Sequence, residues 1–104
     1  MYLMISTYLR PLDEVDAARE DHLRFLAGLE AKGVVVAAGR QDPPKGGIVL
    51  LDAATEAEAR HLMADDPYVL LGLASYEPTG WLPTRGALVD WTGRPTTDQG
   101  QPPR

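Results

Sequence analysis

Strand-like and helix-like stretches alternate along residues 2–81 in an order that few folds accommodate. Residues 2–9, 34–38, 48–51 and 73–81 have the β-branched, aromatic and leucine content of strands, and two stretches between them carry apolar residues at helical spacing. The resulting order is β-α-β-β-α-β. It predicts an α+β domain of ferredoxin-like type, with an antiparallel sheet and both helices on one face.

Local signals indicate the ends of the two helices. Asp13 and Gly33 are suited to cap the first helix, and Thr55 and Glu58 have the spacing of a capping box at the start of the second. The proline- and glycine-rich stretch 40–47 predicts a turn or a mobile loop between the second and third strands.

The composition excludes several classes of function. The 104 residues, 44% of them hydrophobic, suffice for one domain with a modest core. The net charge of −5 disfavours nucleic acid and anionic membranes as partners, and the absence of cysteine excludes disulfides, thiolate nucleophiles and zinc–thiolate sites. No stretch resembles a signal peptide or approaches the roughly 20 apolar residues of a membrane span, so we expect a soluble, cytoplasmic protein.

Two features indicate association between subunits. The first strand has apolar side chains on both faces, which predicts a homodimer formed through the sheet face that the helices leave open. Residues 82–104 form a C-terminal extension to the 1–81 domain, and the stretch 87–91 is too apolar for a free tail. We expect 87–91 to be ordered, as an added edge strand or as an arm on the partner subunit, and the last residues to be mobile.

His22 lies where the pattern of the first helix favours an apolar side chain. It is three or four residues from Ala18, Phe25 and Leu26, on the stripe that faces the interior. A buried imidazole needs a hydrogen-bond partner, and its capacity to exchange a proton near neutral pH suits it to general acid–base catalysis. The alternative is a structural histidine bonded to a backbone carbonyl.

Asp66 is the candidate partner for His22. It shares a helix face with Ala59 and Met63, and both helices cover the same sheet face, so the two side chains can approach each other. A carboxylate that accepts the second imidazole N–H fixes the tautomer of a histidine base. Asp66 also precedes Pro67, as a helix-capping aspartate does; capping is therefore the alternative role, and the two carboxylate oxygens allow both roles at once.

Other candidate residues have weaker support. Arg40, at the end of the second strand, is a candidate for binding an anionic or phenolic substrate, and Tyr68 is a second substrate-binding candidate; a surface arginine and a packing tyrosine are the alternatives. His61 is expected to be exposed. Two histidines without clustered spacing predict no metal site, and the absence of a glycine-rich phosphate loop predicts no cofactor.

The chain resembles the YCII-related (YciI-like) family over residues 2–81. The resemblance rests on three elements: His22-Leu23, Ala38-Gly39 and the run Asp-Asp-Pro-Tyr-Val-Leu-Leu-Gly at 65–72, which matches the family's Asp-Pro-[Phe/Tyr]-x-x-x-Gly motif. It implies a ferredoxin-like fold that dimerises through its sheets as a dimeric α+β barrel, with a pocket that holds a His–Asp pair, here His22 and Asp66. A few members of that family resemble lyases or isomerases that act on small hydroxylated or halogenated rings, and most have no assigned substrate, so the resemblance implies a class of reaction and no particular substrate.

Two hypotheses for function follow. The first is a cofactor-independent lyase or isomerase, in which His22 moves a proton on a small cyclic substrate and Asp66 orients and stabilises the imidazole. The second is a non-catalytic small-molecule-binding or accessory dimeric protein that uses the same pocket. A purely structural dimer is a third alternative. Solvent access to His22 and turnover of ring compounds distinguish the first two hypotheses.

Overall fold

A computed structural model describes residues 1–91 as a four-stranded antiparallel sheet with helices on one face. The strands are β1 (Tyr2–Tyr8), β2 (Val35–Arg40), β3 (Gly47–Leu51) and β4 (Ala74–Gly80). The helices are α1 (Leu12–Ala17), α2 (Arg19–Ala31), α3 (Glu56–Met63) and α4 (Pro67–Leu70). The strand order is β2-β3-β1-β4, so the predicted ferredoxin-like α+β fold is confirmed. None of the helices in residues 1–91 has the length and apolar content needed to cross a membrane.

The strand register assigns side chains to the two faces of the sheet. Met4 pairs with Val49, and both are buried beneath the helices. Ile5 pairs with Ile48, and these side chains are partly exposed on the opposite, open face. Ser6 pairs with Tyr76 of β4 and shares the helix-covered face with Met4. The open end of this covered face is where the candidate site lies.

The first predicted helix is two helices, and its predicted cap is wrong. Pro11 precedes the first residue of α1, so Asp13 lies inside the first turn, where its carboxylate accepts only the N–H of Glu14 at 3.0 Å. The helix breaks at Ala18, whose φ of −103° and ψ of 3° are not helical. The sequence predicts one helix because the apolar residues keep their helical spacing across Ala18. Spacing alone does not reveal that the chain changes direction there.

Two apolar clusters explain the change of direction at Ala18. Val15 and Ala18 pack with Tyr68, Leu73 and Ala74 in one cluster. The apolar side chains of α2 and α3 pack in the other, on the central strands β1 and β3. The buried members of this larger cluster are Met4, Leu26, Leu29, Val35, Val49, Leu51, Ala53, Ala59 and Met63. The segment up to Ala18 therefore packs in the smaller cluster, and the segment after it packs in the larger one.

Residues 82–91 lie at the end of the sheet where β1 begins. The N–H of Trp81 donates to the carbonyl of Met1 at 2.9 Å, and Leu88, Val89 and Trp91 line a hollow beside Met1. Residues 87–90 form turns, so the predicted edge strand is wrong. The three apolar residues have the composition of a strand, but composition does not supply a neighbouring strand to pair with. The arm on a partner subunit stays a prediction. The predicted mobile end falls in 92–104, outside the described residues.

The turn between β2 and β3 depends on a close approach of two backbones. A Cβ on Gly46 would stand 1.8 Å from the carbonyl oxygen of Ser6 in β1, whereas a Cβ on Gly28, in the exposed middle of α2, would meet nothing within 4 Å. Beside Gly46, the N–H of Gly47 donates to the Ser6 hydroxyl at 2.7 Å and ties the turn to β1. The stretch 40–47 is thus a packed turn in which one glycine is sterically required.

We expect Gly46→Ala to lower the free energy of unfolding by about 2 kcal/mol or more, because the new methyl group forces the turn away from β1. The matched control Gly28→Ala is expected to raise it by about 0.5–1 kcal/mol, since alanine is the better residue in a helix interior. Urea unfolding at equal protein concentration measures both. Equal stability of the two variants would contradict the close approach.

Candidate functional site

Asp66 is fixed by its place between α3 and α4. It is the N-cap of α4, where Pro67 occupies the first turn and the carboxylate Oδ1 accepts the N–H of Tyr68 at 3.0 Å. The side chain is completely buried. The capping alternative drawn from the sequence is therefore correct, and it leaves the second oxygen of the carboxylate and further lone pairs for other donors.

The structure brings His22 and Asp66 together. Nδ1 of the imidazole, on α2, lies 2.8 Å from Oδ1 and 3.0 Å from Oδ2 of the carboxylate. The His22 side chain is 12% exposed, so the contact is largely shielded from water. Because the carboxylate is an acceptor, Nδ1 carries the hydrogen and donates it. The predicted approach of the two side chains is confirmed, and the backbone-bonded alternative for this nitrogen does not hold.

Tyr76 is a third group on this carboxylate that the sequence analysis did not identify. Its hydroxyl, on β4, donates to Asp66 Oδ2 at 2.8 Å. Burial, followed by the negative charge of Asp66, raises the pKa of Tyr76 far above its ordinary value, so the phenol keeps its proton and acts as a donor. The alternation of β4 could have placed Tyr76 on the covered face, but its partner could not be read without the strand register.

Tyr68 packs flat against the imidazole. The two ring centroids are 3.9 Å apart with an interplanar angle of 5°, and the ring of Tyr8 meets Tyr68 edge-on at 6.0 Å. The Tyr68 hydroxyl is buried and has no hydrogen-bond partner among the described residues. Desolvation is the main reason that the pKa of Tyr68 is raised. Tyr68 thus packs in the smaller apolar cluster, as its alternative role requires, and its substrate-binding role stays a prediction.

Arg40 is anchored at the mouth of the site. Its Nε donates to the Tyr8 hydroxyl at 3.0 Å, and its Nη2 pairs with the Asp16 carboxylate. The side chain is 25% exposed. The hydrogen bond to Asp16, then that to Tyr8, raises the pKa of Arg40 above its ordinary value, so the guanidinium is permanently charged. Asp16 and Tyr8 are not evident as partners from the sequence, because their contacts with Arg40 join elements far apart in the chain.

A cavity of about 150 Å³ opens beside these residues, between α2 and the sheet. Leu23, Leu26 and Val49 form its apolar part. Besides His22, polar side chains from the sheet and from the helices α2 and α4 line it: Ser6, Tyr8, Arg19, Arg40, Tyr68 and Tyr76. The four candidate residues from the sequence are thus together at this site: His22, Arg40 and Tyr68 line the cavity, and Asp66 is behind His22. His61 is exposed on α3, as predicted.

The free nitrogen of His22 determines what the arrangement can do. Nε2 makes no hydrogen bond to any residue in the range 1–91 and is not sealed from solvent, and His22 borders the cavity. With Nδ1–H donated to Asp66, Nε2 presents its lone pair and can accept a proton from a bound molecule. Within residues 1–91, no three histidine or acidic side chains group together as a metal site would require.

Comparisons with known proteins agree with this fold. The YCII-related domain matches residues 1–82. Among solved structures, the chain is similar to 5-chloro-2-hydroxyhydroquinone dehydrochlorinase (TftG) from Burkholderia phenoliruptrix AC1100 in complex with 2,5-dihydroxybenzoquinone, with a TM-score of 0.62 and 22% identity over 78% of this chain and 93% of that chain. At this identity the likeness concerns the fold. No curated protein matches. Because the domain match spans most of its length, the chain belongs to the YCII-related family.

Proposed function

We propose that this protein is a cofactor-independent enzyme of lyase or isomerase type that moves a proton on a small cyclic substrate. The observation that carries the proposal is the His22 imidazole, held by Asp66 through Nδ1 while Nε2 is free beside the cavity. A histidine oriented in this way is the arrangement that general base catalysis requires.

The proposed reaction begins when Nε2 of His22 removes a proton from a carbon or hydroxyl of the bound ring. The imidazolium that forms is stabilised by the Asp66 carboxylate, itself held by Tyr76 and by the N–H of Tyr68. In a lyase, the electron pair of the broken bond to hydrogen expels a leaving group such as halide. In an isomerase, Nε2 returns the proton to another atom of the ring, and the substrate and product have the same composition.

The structural neighbour supports the class of substrate. TftG is by its name a dehydrochlorinase of a hydroxylated, chlorinated ring, and its structure contains a dihydroxybenzoquinone. The cavity beside His22 has about the volume of engineered apolar cavities that bind benzene, so a single substituted ring fits it. A cyclic substrate is therefore favoured over a long flexible one.

We expect His22→Gln to lower turnover of ring substrates by about 10²–10⁴-fold, because the variant keeps a polar side chain but has no proton-accepting nitrogen. Halide release from chlorinated hydroxyquinols and deuterium incorporation from D₂O into hydroxylated rings are the two measurements. The matched control is His61→Gln, which removes the chain's other histidine from an exposed position on α3 and is expected to leave turnover unchanged.

Two results would overturn this assignment. Full turnover by the His22→Gln variant would show that the imidazole is not the catalytic base. Binding of ring compounds by the wild-type protein without any turnover would favour the alternative, a non-catalytic small-molecule-binding or accessory protein.

We also propose that the protein is a homodimer joined through the open face of the sheet. Ile5 and Ile48 are directly opposite each other in the β1–β3 register, and each is 37% exposed there. Leu3 continues the same apolar face, whereas its partner Leu50 is already buried. An apolar surface of this kind complements a second copy of itself across a two-fold axis, and water contact at the two isoleucines is unfavourable.

We expect Ile48→Lys to weaken the dimer about a hundredfold or more, because it places two symmetry-related ammonium groups in an apolar interface. The matched control is Leu70→Lys, which introduces the same charge at an exposed leucine of α4 on the helix side. Sedimentation equilibrium over micromolar concentrations measures the affinity. A wild-type protein that is monomeric at these concentrations would contradict the proposed dimer.

A further inference from the structure

The cavity has a cationic wall in a protein with a net charge of −5. The charged side chains that line it are Arg19 and Arg40, and the lining includes the imidazole of His22. No aspartate or glutamate of the described residues lines it. Asp16 balances the charge of Arg40 and Asp66 lies behind His22, so Arg19 is the cation of the lining without an ion-pair partner in residues 1–91. Because the groups that face the cavity are cationic and no carboxylate faces it, an anionic ligand is favoured there over a cationic one.

Both arginines have hydrogen-bond donors to spare. Arg19 makes no ion pair with any residue that the structure describes. Arg40 uses Nε for Tyr8 and Nη2 for Asp16, and its Nη1 group makes no hydrogen bond of ordinary length and angle within residues 1–91. The contact with Asp16 and Tyr8 fixes the guanidinium in place, so its free donors are preorganised.

The Tyr68 hydroxyl is an independent sign of a missing ligand atom. It is buried at the cavity, its residue is only 2% exposed, and no residue in 1–91 reaches it with a hydrogen bond of ordinary length and angle. A buried hydroxyl is rarely left unpaired, and such exceptions require an explanation. The charge of Arg40, a hydrogen-bonding interaction from its guanidinium and the charge of Arg19 counteract the rise in the pKa of Tyr68, so both cations lie near the hydroxyl.

We propose that Tyr68, Arg40 and Arg19 form a subsite for an anionic oxygen of the substrate, either a carboxylate or an ionised ring hydroxyl. The hydroxyl of Tyr68 donates one hydrogen bond to that oxygen, and the two arginines supply charge and further donors. This inference rests on the proposed function for the identity of the ligand as a substrate. It narrows the substrates to acidic single-ring compounds and gives the unpaired hydroxyl its partner.

Binding of paired small probes tests the subsite without any turnover. Benzoate and benzamide have similar size and shape but differ in charge, as do 4-nitrophenolate and nitrobenzene, so the two pairs separate a carboxylate from an ionised hydroxyl. We expect the anionic member of at least one pair to bind about tenfold more tightly, as measured by titration with protein-observed NMR at millimolar probe concentrations. Equal binding within both pairs, or no binding of any probe, would overturn the subsite.

Tyr68→Phe separates recognition from packing. The variant keeps the ring that stacks on His22 and removes only the unpaired hydroxyl, so we expect anion affinity to fall about tenfold while the melting temperature is unchanged or higher. Arg19→Gln is expected to weaken anion binding by a similar factor. Arg24→Gln is the matched control on α2, because Arg24 pairs with Glu20 and Asp21 away from the cavity.

The outcomes distinguish this inference from the proposed function. If the preference for anions depends on Tyr68 and Arg19 but no turnover is seen, the subsite is supported and the proposed catalytic function is ruled out. Turnover that depends on His22, with neutral and anionic probes bound equally, supports the enzyme and removes the subsite. A Tyr68→Phe variant that melts lower and keeps full anion affinity would show that the hydroxyl has a purely structural role.

Discussion

The buried carboxylate of Asp66 is the interaction on which the arrangement of this domain depends. Three hydrogen bonds reach it from separate elements, from the imidazole of His22 on α2, from the N–H of Tyr68 on α4 and from the hydroxyl of Tyr76 on β4. A carboxylate without such donors is very unfavourable in an apolar interior, and each hydrogen bond to a charged group contributes about 1.5–3 kcal/mol. The same contacts that hold the elements together therefore also orient the imidazole.

The sequence was sufficient to predict the contact between His22 and Asp66, but it did not reveal the tyrosines around them, and the reason is physical. His22 breaks the apolar stripe of α2, and the element order puts α2 and α3 over one sheet face, so its approach to Asp66 follows from local pattern and topology. The expected helix face shared by Asp66 and Met63 is wrong, because α3 ends at Met63 and Asp66 caps α4 instead. Tyr76 and Tyr8 lie on strands, where a contact depends on register between distant segments. No local pattern encodes that register.

The same distinction between local and long-range information accounts for the other differences. Capping of α3 by Thr55 is local and was predicted, and its hydroxyl accepts the N–H of Glu58 at 3.1 Å. The break at Ala18 depends on which cluster each segment joins, and the turns of residues 87–90 depend on the lack of a partner strand. Arg40 was identified at a strand end, but its partner Asp16 is 24 residues earlier on α1.

The stacking of Tyr68 on His22 has a stereochemical consequence. One face of the imidazole is covered at 3.9 Å by the phenol ring, and Nδ1 is fixed by the carboxylate, so the ring cannot turn over between steps. Nε2 therefore points in one direction for the whole reaction. In the proposed isomerisation, a proton taken from one face of a ring that stays bound in place is therefore returned to that same face.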